Sequence, residues 1–207
     1  MKKIIPKIKT IEEKNIIDAY LENEYINYKF KENIDKKITI KNTIDSCIFE
    51  NIDFTNIELE NVDLIDVIFE NCNLSNKNFD ERFLTRVIFK NCKITGVSFI
   101  TSTLKDISFE NCNLKYSNFT TAKINNVYFI NSNLSESYFL ETTIKDIIFD
   151  NVKFYQTEFV KTMLKEVDFT SSDITGILFD FYSLKGIIVD PFQCQNIDGL
   201  LGVQIKN

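Results

Sequence analysis

Residues 69–94 read FENCNLSNKNFDERFLTRVIFKNCKI, and a large apolar residue returns at every fifth position of this stretch. The same spacing runs without interruption from Ile44 to Val189. The whole chain is 44% hydrophobic, so an unbroken series of this length is not a chance arrangement. A period of five matches neither the 3.6-residue period of an α-helix nor the two-residue period of a strand. It predicts a coil that turns a corner in every pentapeptide.

A second series lies two residues before each of these positions and is mostly small or β-branched, as at Cys72 and Val87. If both series point inward, four pentapeptides make one square turn. The series has four exceptions, Asn42, Lys77, Arg82 and Tyr182. We expect its two positive charges, Lys77 and Arg82, to turn outward or to distort their coil, because burying them unpaired is costly.

A period of four pentapeptides is visible in the residue types. Phenylalanine recurs on one side from Phe49 to Phe169 and on the opposite side from Phe79 to Phe179. Asparagine recurs at one corner from Asn51 to Asn151. Asparagine tolerates turn conformations, and its amide can bond the equivalent amide one coil away. The sequence therefore predicts a solenoid in which like residues stack on like.

The segments Cys72–Asn76 and Cys112–Tyr116 read CNLSN and CNLKY. They resemble the A(D/N)LXX unit of pentapeptide repeat proteins. The resemblance implies an all-β solenoid, a right-handed quadrilateral β-helix, to which the flanking sequences add a short N-terminal helix and a C-terminal helix plus strand. We expect three parts: an N-terminal helix and capping segment (1–43), the pentapeptide-repeat β-helix (44–189), and a C-terminal helix and strand (190–207).

The N-terminal segment follows different rules. Thr10-Ile11-Glu12-Glu13 matches a capping box, and the apolar residues after it favour a helix from about 11 to 22. Residues 25–42 look extended and suit a degenerate first coil. We expect this region to close the N-terminal end of the solenoid, since an open end exposes core and strand edges.

At the C-terminal end, Asp190-Pro191 is typical of an N-cap followed by proline at the first helical position. It predicts a helix from 191 to about 201, ended by Gly202, with an extended segment beyond. Segments 184–190 and 200–203 resemble the ending of Qnr-type quinolone-resistance proteins, in which the C-terminal helix and strand pair two rods end to end. The resemblance implies a homodimer with contacts from Phe192, Ile197, Leu200, Leu201, Val203 and Ile205. The alternative is that these residues cap the monomer.

Charge is distributed unevenly along the chain. Residues 1–41 carry ten Lys against seven Asp and Glu, a net charge of +3, and since the whole chain carries −6, residues 42–207 carry −9. No uniformly basic groove is visible, which argues against direct nucleic-acid binding. An acidic rod can attract proteins that normally hold DNA. The alternative is that the charge only keeps the rod in solution.

Two outward columns are candidates for a partner-binding surface. The first carries negative charge just after the phenylalanine column, at Glu50, Glu70, Glu110 and Asp150, and is interrupted by Lys90, Ile130 and Thr170. The second is a ladder of mostly apolar positions, at Ile48, Ile68, Ile88, Ser108, Tyr128, Ile148, Asp168 and Ile188. A vertical ladder forms a patch, and patches indicate contacts. The alternative is that β-branched residues simply suit exposed strand positions.

Catalysis is not expected. The chain has no histidine, which removes Ser-His-Asp and Cys-His arrangements and imidazole metal sites. Its five glycines match no phosphate-binding loop. Four of the five cysteines fall in the inward series without the paired spacing of a metal site, so we expect them to act as small apolar fillers. We therefore expect no enzyme activity, cofactor or metal.

The sequence also bears on location. Residues 1–9 are basic, but no apolar stretch of the kind found in signal peptides follows them. No apolar run reaches the length of a membrane span. We expect a cytoplasmic, soluble protein with no membrane partner.

Two functions from different classes follow. By resemblance to the Qnr and mycobacterial MfpA proteins, the first is a non-enzymatic, homodimeric DNA mimic that binds a type II topoisomerase, DNA gyrase or topoisomerase IV, and modulates quinolone inhibition. The second is a protein-binding or structural scaffold with no topoisomerase partner, such as an immunity factor or an adaptor. The unbroken five-residue spacing leaves no room for the coil-interrupting loops of several Qnr proteins, unless a loop has a length divisible by five.

Overall fold

The structure, a computed structural model, describes residues 2–9 and 11–197, and it is a parallel β-solenoid of about 8 turns. Along most of the rod, strands pair in parallel with the strand one turn later at an offset of twenty residues, as in Phe49↔Phe69, Phe69↔Phe89 and Phe89↔Phe109. The predicted right-handed quadrilateral β-helix is confirmed.

The regular elements are short strands with three helical segments. The strands are β1 (Glu12–Glu13), β2 (Tyr28–Phe30), β3 (Ile38–Ile40), β4 (Ile44–Asp45), β5 (Ile48–Glu50), β6 (Ile57–Leu59), β7 (Leu64–Glu70), β8 (Phe83–Lys90), β9 (Thr103–Glu110), β10 (Lys123–Ile130), β11 (Tyr138–Leu140), β12 (Thr143–Asp150), β13 (Glu158–Val160) and β14 (Leu178–Phe179). The helices are α1 (Ile16–Glu22), α2 (Phe181–Leu184) and α3 (Cys194–Ile197), and a 3-10 turn spans Phe54–Asn56. None of the helices in the described ranges has the length and apolar character needed to cross a membrane.

The strands stack into three sheets on two sides of the coil, and the two smaller sheets lie on the same side. The longest has the order β1-β2-β5-β7-β8-β9-β10-β12, with β4 also paired to β7. The others are β11-β13-β14 and β3-β6. Single bridges such as Asn73↔Lys93 continue the stacking where strands are too short to form.

The corners depend on residues with left-handed backbone conformation. A positive φ recurs once in nearly every pentapeptide, two residues after the central apolar position, as at Asn71 (54°) and Asn91 (54°). Asparagine adopts this conformation at low cost, which is why so few glycines are needed. Gly96 has a φ of +68°, and a Cβ there would lie 2.6 Å from Oδ1 of Asn76, so a larger residue would require that side chain to move.

The core is built from the five-residue series. Every central residue from Ile44 to Phe139 is buried, and the partly buried members of the series lie nearer its C-terminal end. The rings of Phe89 and Phe109 stack with centroids 4.9 Å apart and planes 7° apart, and Phe129 continues the column at 4.9 Å. Rings in columns are a geometry that aromatic pairs favour.

The N-terminal helix begins later than predicted. It starts at Ile16 with Asn15 as N-cap, whose Oδ1 accepts a hydrogen bond from the amide of Ile17 at 2.8 Å. The capping-box reading was wrong because Glu12 and Glu13 form β1, paired with Tyr28 and Lys29 of β2. Without β1, the edge of β2 would carry unpaired backbone groups.

Residues 25–42 form a coil whose offset to the next turn is nineteen residues. Lys29 pairs with Ile48, Phe30 with Phe49, and Ile38 with Ile57. The Phe30 ring stacks on Phe49 at 4.9 Å, so the phenylalanine column begins one turn earlier than the five-residue spacing indicates. Ile16 and Ala19 of α1 are buried beside it.

The coil opens at Lys77. Among the described residues, no backbone hydrogen bond joins 57–61 to 77–81, and a cleft of about 540 Å³ lies between these segments. Lys77 is only 6% exposed, with Nζ 3.4 Å from Oε1 of Glu58, so it did not turn outward. Arg82 did, and its Nε donates to the carbonyl of Asp80 at 3.1 Å. The prediction of a local distortion holds, and the physical reason is that the buried ammonium needs room and a carboxylate.

The C-terminal end contains one element that the five-residue spacing did not predict. Residues 181–184 form α2, capped by Asp180, and they place Ser183 rather than Tyr182 inside. Asp190 acts as the expected cap, since its Oδ1 accepts from the amides of Phe192 and Gln193, both at 2.8 Å. A turn at 191–193 leads into α3, and the predicted continuation beyond Ile197 lies outside the described residues.

Candidate partner-binding surface

The four predicted acidic residues lie in one column, here called the acidic column and defined as Glu50, Glu70, Glu110 and Asp150. The strand register places Glu50 beside Glu70, then Lys90, then Glu110, and, one turn after Ile130, Asp150. The structure therefore brings the predicted residues together on one face, where each is the last residue of a strand of the long sheet.

Three of these carboxylates have a lysine partner. Lys29 Nζ lies 2.6 Å from Glu50 Oε2, Lys90 Nζ lies 2.7 Å from Glu70 Oε1, and Lys3 pairs with Glu110. Asp150 has no ion pair among the described residues and is exposed. The column is thus a set of ion pairs with one bare carboxylate, and the face is less negative than its acidic residues indicate.

The pairing is reflected in the titration of these groups. The hydrogen bond from Lys29 lowers the pKa of Glu50, and the hydrogen bond to Glu70 raises the pKa of Lys90. Burial alone would raise the pKa of Glu110, but the hydrogen bonds from Lys3 and Ser108 outweigh it, so this pKa is lowered. Glu50, Glu110 and Lys90 are therefore charged at neutral pH.

Residues 2–9 cross the same face, and we call them the N-terminal strap. The amide of Lys7 donates to Oδ1 of Asp66 at 2.7 Å, and the carbonyl of Lys2 accepts from Nδ2 of Asn126 at 3.3 Å. Asp66 and Asn126 are three turns apart, about 14 Å at ~4.8 Å per turn, which five residues span only when extended. The strap therefore runs along the rod, across strands β7 to β10.

The outward apolar ladder is partly covered. In the turns that the strap crosses, Ser108 is 2% and Tyr128 is 7% exposed, whereas Ile188, in the same column at the far end, is 44% exposed. The strap crosses these turns, since Lys7 bonds Asp66 at one end and Lys2 bonds Asn126 at the other. The five-residue spacing does not predict the strap, and the only sign of it in the sequence is the mixture of lysine and isoleucine in residues 2–9.

The predicted dimer contacts have different environments. Phe192 is 80% exposed, but Ile197 is buried in the core of its own chain. Leu200, Leu201, Val203 and Ile205 lie outside the described residues. Of the two described residues, only Phe192 is available to a second copy.

The cysteines have the environment of core fillers. Cys47, Cys72, Cys92 and Cys112 are buried and unpaired, and burial raises the pKa of Cys47 to about 12. The thiols of Cys72, Cys92 and Cys112 donate to the carbonyls of Phe49, Phe69 and Phe89. In the part of the chain that the structure describes, no group of His, Cys, Asp or Glu side chains has the arrangement of a metal site.

Comparison with known proteins points to one family. A family model described as a pentapeptide repeat region matches residues 42–119 and again 62–139. No curated protein matches the chain significantly in sequence.

Several solved structures are similar in fold. One is QnrB1, a plasmid-mediated fluoroquinolone resistance protein, with 20% identity over 84% of this chain and 95% of that one and a TM-score of 0.41. Another is HetL, a pentapeptide repeat protein involved in heterocyst differentiation regulation from the cyanobacterium Nostoc sp. strain PCC 7120, with 12% identity over 84% and 95% of the two chains and a TM-score of 0.36. At these identities the likeness concerns the fold alone. With its five-residue spacing, its square coil and the matched repeat region, the chain belongs to the pentapeptide repeat family.

Proposed function

We propose that this protein is a non-enzymatic rod that acts by presenting its outer surface to a protein partner, and that the partner is a type II topoisomerase, DNA gyrase or topoisomerase IV. In this role the rod is a DNA mimic that occupies the DNA-binding surface of the enzyme and modulates its inhibition by quinolones. The observation that carries the proposal is the regular acidic rod, about 8 turns long, with a net charge of −9 over residues 42–207.

The dimensions and charge support this role. Eight turns at ~4.8 Å each make a rod of about 38 Å, comparable to a short stretch of duplex. Negative side chains on such a rod attract surfaces that normally bind phosphates. The carboxylates of the acidic column are one or two turns apart, because residues twenty apart in the sequence lie side by side.

The alternative function is a protein-binding or structural scaffold without a topoisomerase partner, and one observation favours it. Three of the four carboxylates in the acidic column are paired with lysines, and a mimic of phosphates needs unpaired negative charge. Exposed ion pairs are energetically weak, however, so a strongly basic partner can replace the lysines.

Three further parts of the proposal concern assembly and location. Residues 1–43 close the N-terminal end of the 44–189 solenoid, and residues 190–207 join two rods end to end into a homodimer, in which Phe192 is an exposed contact. The protein acts in the cytoplasm, where type II topoisomerases meet DNA. It does not bind nucleic acid directly, because basic residues on the rod are interspersed with acidic ones.

The test is a DNA supercoiling and cleavage assay with purified gyrase, in which the protein is titrated with and without a fluoroquinolone. We expect the wild type to inhibit supercoiling or to relieve drug-induced cleavage. A variant with Glu50, Glu70, Glu110 and Asp150 changed to Lys should do neither. A wild type without effect on gyrase and, in the same assay, on topoisomerase IV would leave the scaffold as the function.

A matched control carries the same change of charge at other faces, with Glu24, Glu60, Glu141 and Glu158 changed to Lys. If mimicry acts through the acidic column, this control keeps most of the wild-type effect. If both variants lose it equally, the total charge of the rod matters and the column does not.

A further inference from the structure

The face that the N-terminal strap crosses is a candidate docking surface, because its side chains already hold an extended segment. Its floor consists of outward-pointing side chains, Asp66, Asp106, Ser108, Glu110 and Tyr128, which we call the strap groove. Asp66, Asp106, Ser108 and Tyr128 are all buried, although each points away from the core of the coil. The equivalent residues three turns beyond Asp106 and Tyr128, which are Glu166 and Ile188, are exposed.

The groove and its occupant are complementary in charge. Asp66, Asp106 and Glu110 supply three negative charges. Among the described residues of the rod, Arg86 forms an ion pair with Asp66 at 2.6 Å on both oxygens, and Asp106 accepts a hydrogen bond from the neutral amide of Asn126 at 2.6 Å. The strap carries four lysines in eight residues. Lys3 pairs with Glu110, and Lys7 donates its backbone amide to Asp66. The groove thus recognises both the charge and the extended backbone of its occupant.

The N-terminal strap makes few polar contacts with the rod for a segment of eight residues. Among the polar contacts of the described residues, the strap is fastened at Lys2, Lys3 and Lys7, and Ile4 and Ile5 are 42% and 63% exposed. Pro6 has no amide to donate. A segment held by one ion pair and two hydrogen bonds is readily displaced, because ion pairs and single hydrogen bonds at a surface contribute little each.

We propose that the strap groove is a docking site for an extended basic segment with aliphatic residues on a partner protein, and that residues 2–9 occupy it in cis until such a segment displaces them. The strap then acts as an internal competitor that sets the affinity of the site. The proposal goes beyond the function given above, because it holds whether or not the partner is a topoisomerase.

The experiment uses a fluorescein-labelled peptide of residues 2–9, KKIIPKIK, as a stand-in for the partner segment, with binding followed by fluorescence anisotropy. The full-length wild type should bind it weakly, because a tethered strap is present at an effective concentration in the millimolar range. The full-length variant Lys3→Glu/Lys7→Glu, whose own strap is repelled, should bind it at least about tenfold more tightly. Affinity of this variant should fall as salt rises.

Two controls locate the effect. The variant Lys93→Glu/Lys153→Glu carries the same charge change on another face and should bind like the wild type. Adding Asp106→Asn and Glu110→Gln to the Lys3→Glu/Lys7→Glu variant should abolish the gain, since these groups form the groove. A gain that survives these changes, or no gain in the strap variant, overturns the proposal.

A measurement on the unmodified protein covers the case in which a variant folds poorly. Hydrogen exchange at low salt should show the amide of Lys7 protected relative to the free peptide, and an excess of unlabelled KKIIPKIK should raise its exchange rate. An amide of Lys7 that exchanges at the rate of the free peptide would show that the groove is not occupied in cis, and the proposal would fail.

Discussion

Truncating one ring in the middle of the phenylalanine column tests how the rod is held together. Phe109 is fully buried, stacks on Phe89 and Phe129 at 4.9 Å each, and meets the edge of Phe99 at 6.1 Å. The change Phe109→Ala removes a buried ring that neighbouring coils cannot refill, because the register holds their backbones in place. We expect a loss of about 4 kcal/mol in the free energy of unfolding, from lost transfer energy and the cavity left behind.

The contribution of the ring contacts can be separated from that of volume. The change Phe109→Leu keeps an apolar side chain but removes three aromatic contacts, each worth ~0.5–1.5 kcal/mol. We therefore expect a loss of about 2 kcal/mol. Phe83 is 60% exposed at the start of β8, so Phe83→Ala should change stability by no more than ~0.5 kcal/mol.

The assay is urea unfolding followed by circular dichroism, with hydrogen exchange of neighbouring turns as a second probe, since repeat proteins can unfold in parts. A mid-rod cavity should raise exchange in the turns on both sides of Phe109. If Phe109→Ala costs no more than Phe83→Ala, the column is not a source of stability and this account of the core is wrong.

Three further predictions concern the corners, the thiols and the strap. Asn91→Ala should lower the free energy of unfolding in urea by ~1–2 kcal/mol, because alanine is strained at positive φ and its side chain cannot continue the amide ladder. Asn91→Gly should lower it by less, because glycine loses the ladder but is not strained. Equal losses would contradict the contribution from backbone strain. In the native protein, a thiol reagent should label the exposed Cys194 and leave the four buried thiols, which should react only in denaturant. Rapid labelling of a second thiol would contradict the buried cysteine column. The pKa values of Asp66 and Glu110 are lowered in the folded protein. Their contribution to the free energy of unfolding is therefore complete above their ordinary pKa values of 3.8 and 4.5, and it is lost as the pH falls below those values. The NMR signal of the Lys7 amide should therefore move to its free position on acidification, and a signal unchanged down to pH 2 would contradict strap release.

Much of the fold was predictable because the pattern repeats. Each turn meets only its neighbours, so a five-residue spacing that holds at Phe69 must hold at Phe109 if both are to stack. The asparagine corner could be predicted for the same reason, and the amides of Asn71 and Asn51 do bond at 3.1 Å. The acidic column also followed from the register, since residues twenty apart lie side by side.

The sequence could not predict the partners of that column. Lys29 reaches Glu50 through a turn with a nineteen-residue offset, and Lys3 reaches Glu110 from a segment more than one hundred residues away. Neither contact joins residues separated by a multiple of twenty, so the repeat could not predict it. The helix start was missed for a similar reason, because β1 forms only where β2 leaves an edge to be paired.

By itself, the sequence determined the coil, its register, the composition of its core and the alignment of its outward columns, because these follow from a periodic pattern satisfied between neighbouring turns. Only the tertiary structure decided the contacts outside this pattern: the strap bonded to Asp66, Glu110 and Asn126, the lysines on the acidic column, and the cleft between residues 57–61 and 77–81. These depend on contacts between segments with no common period, whose energies are small and comparable. Which of these contacts form depends on which side chains the folded rod brings close to one another.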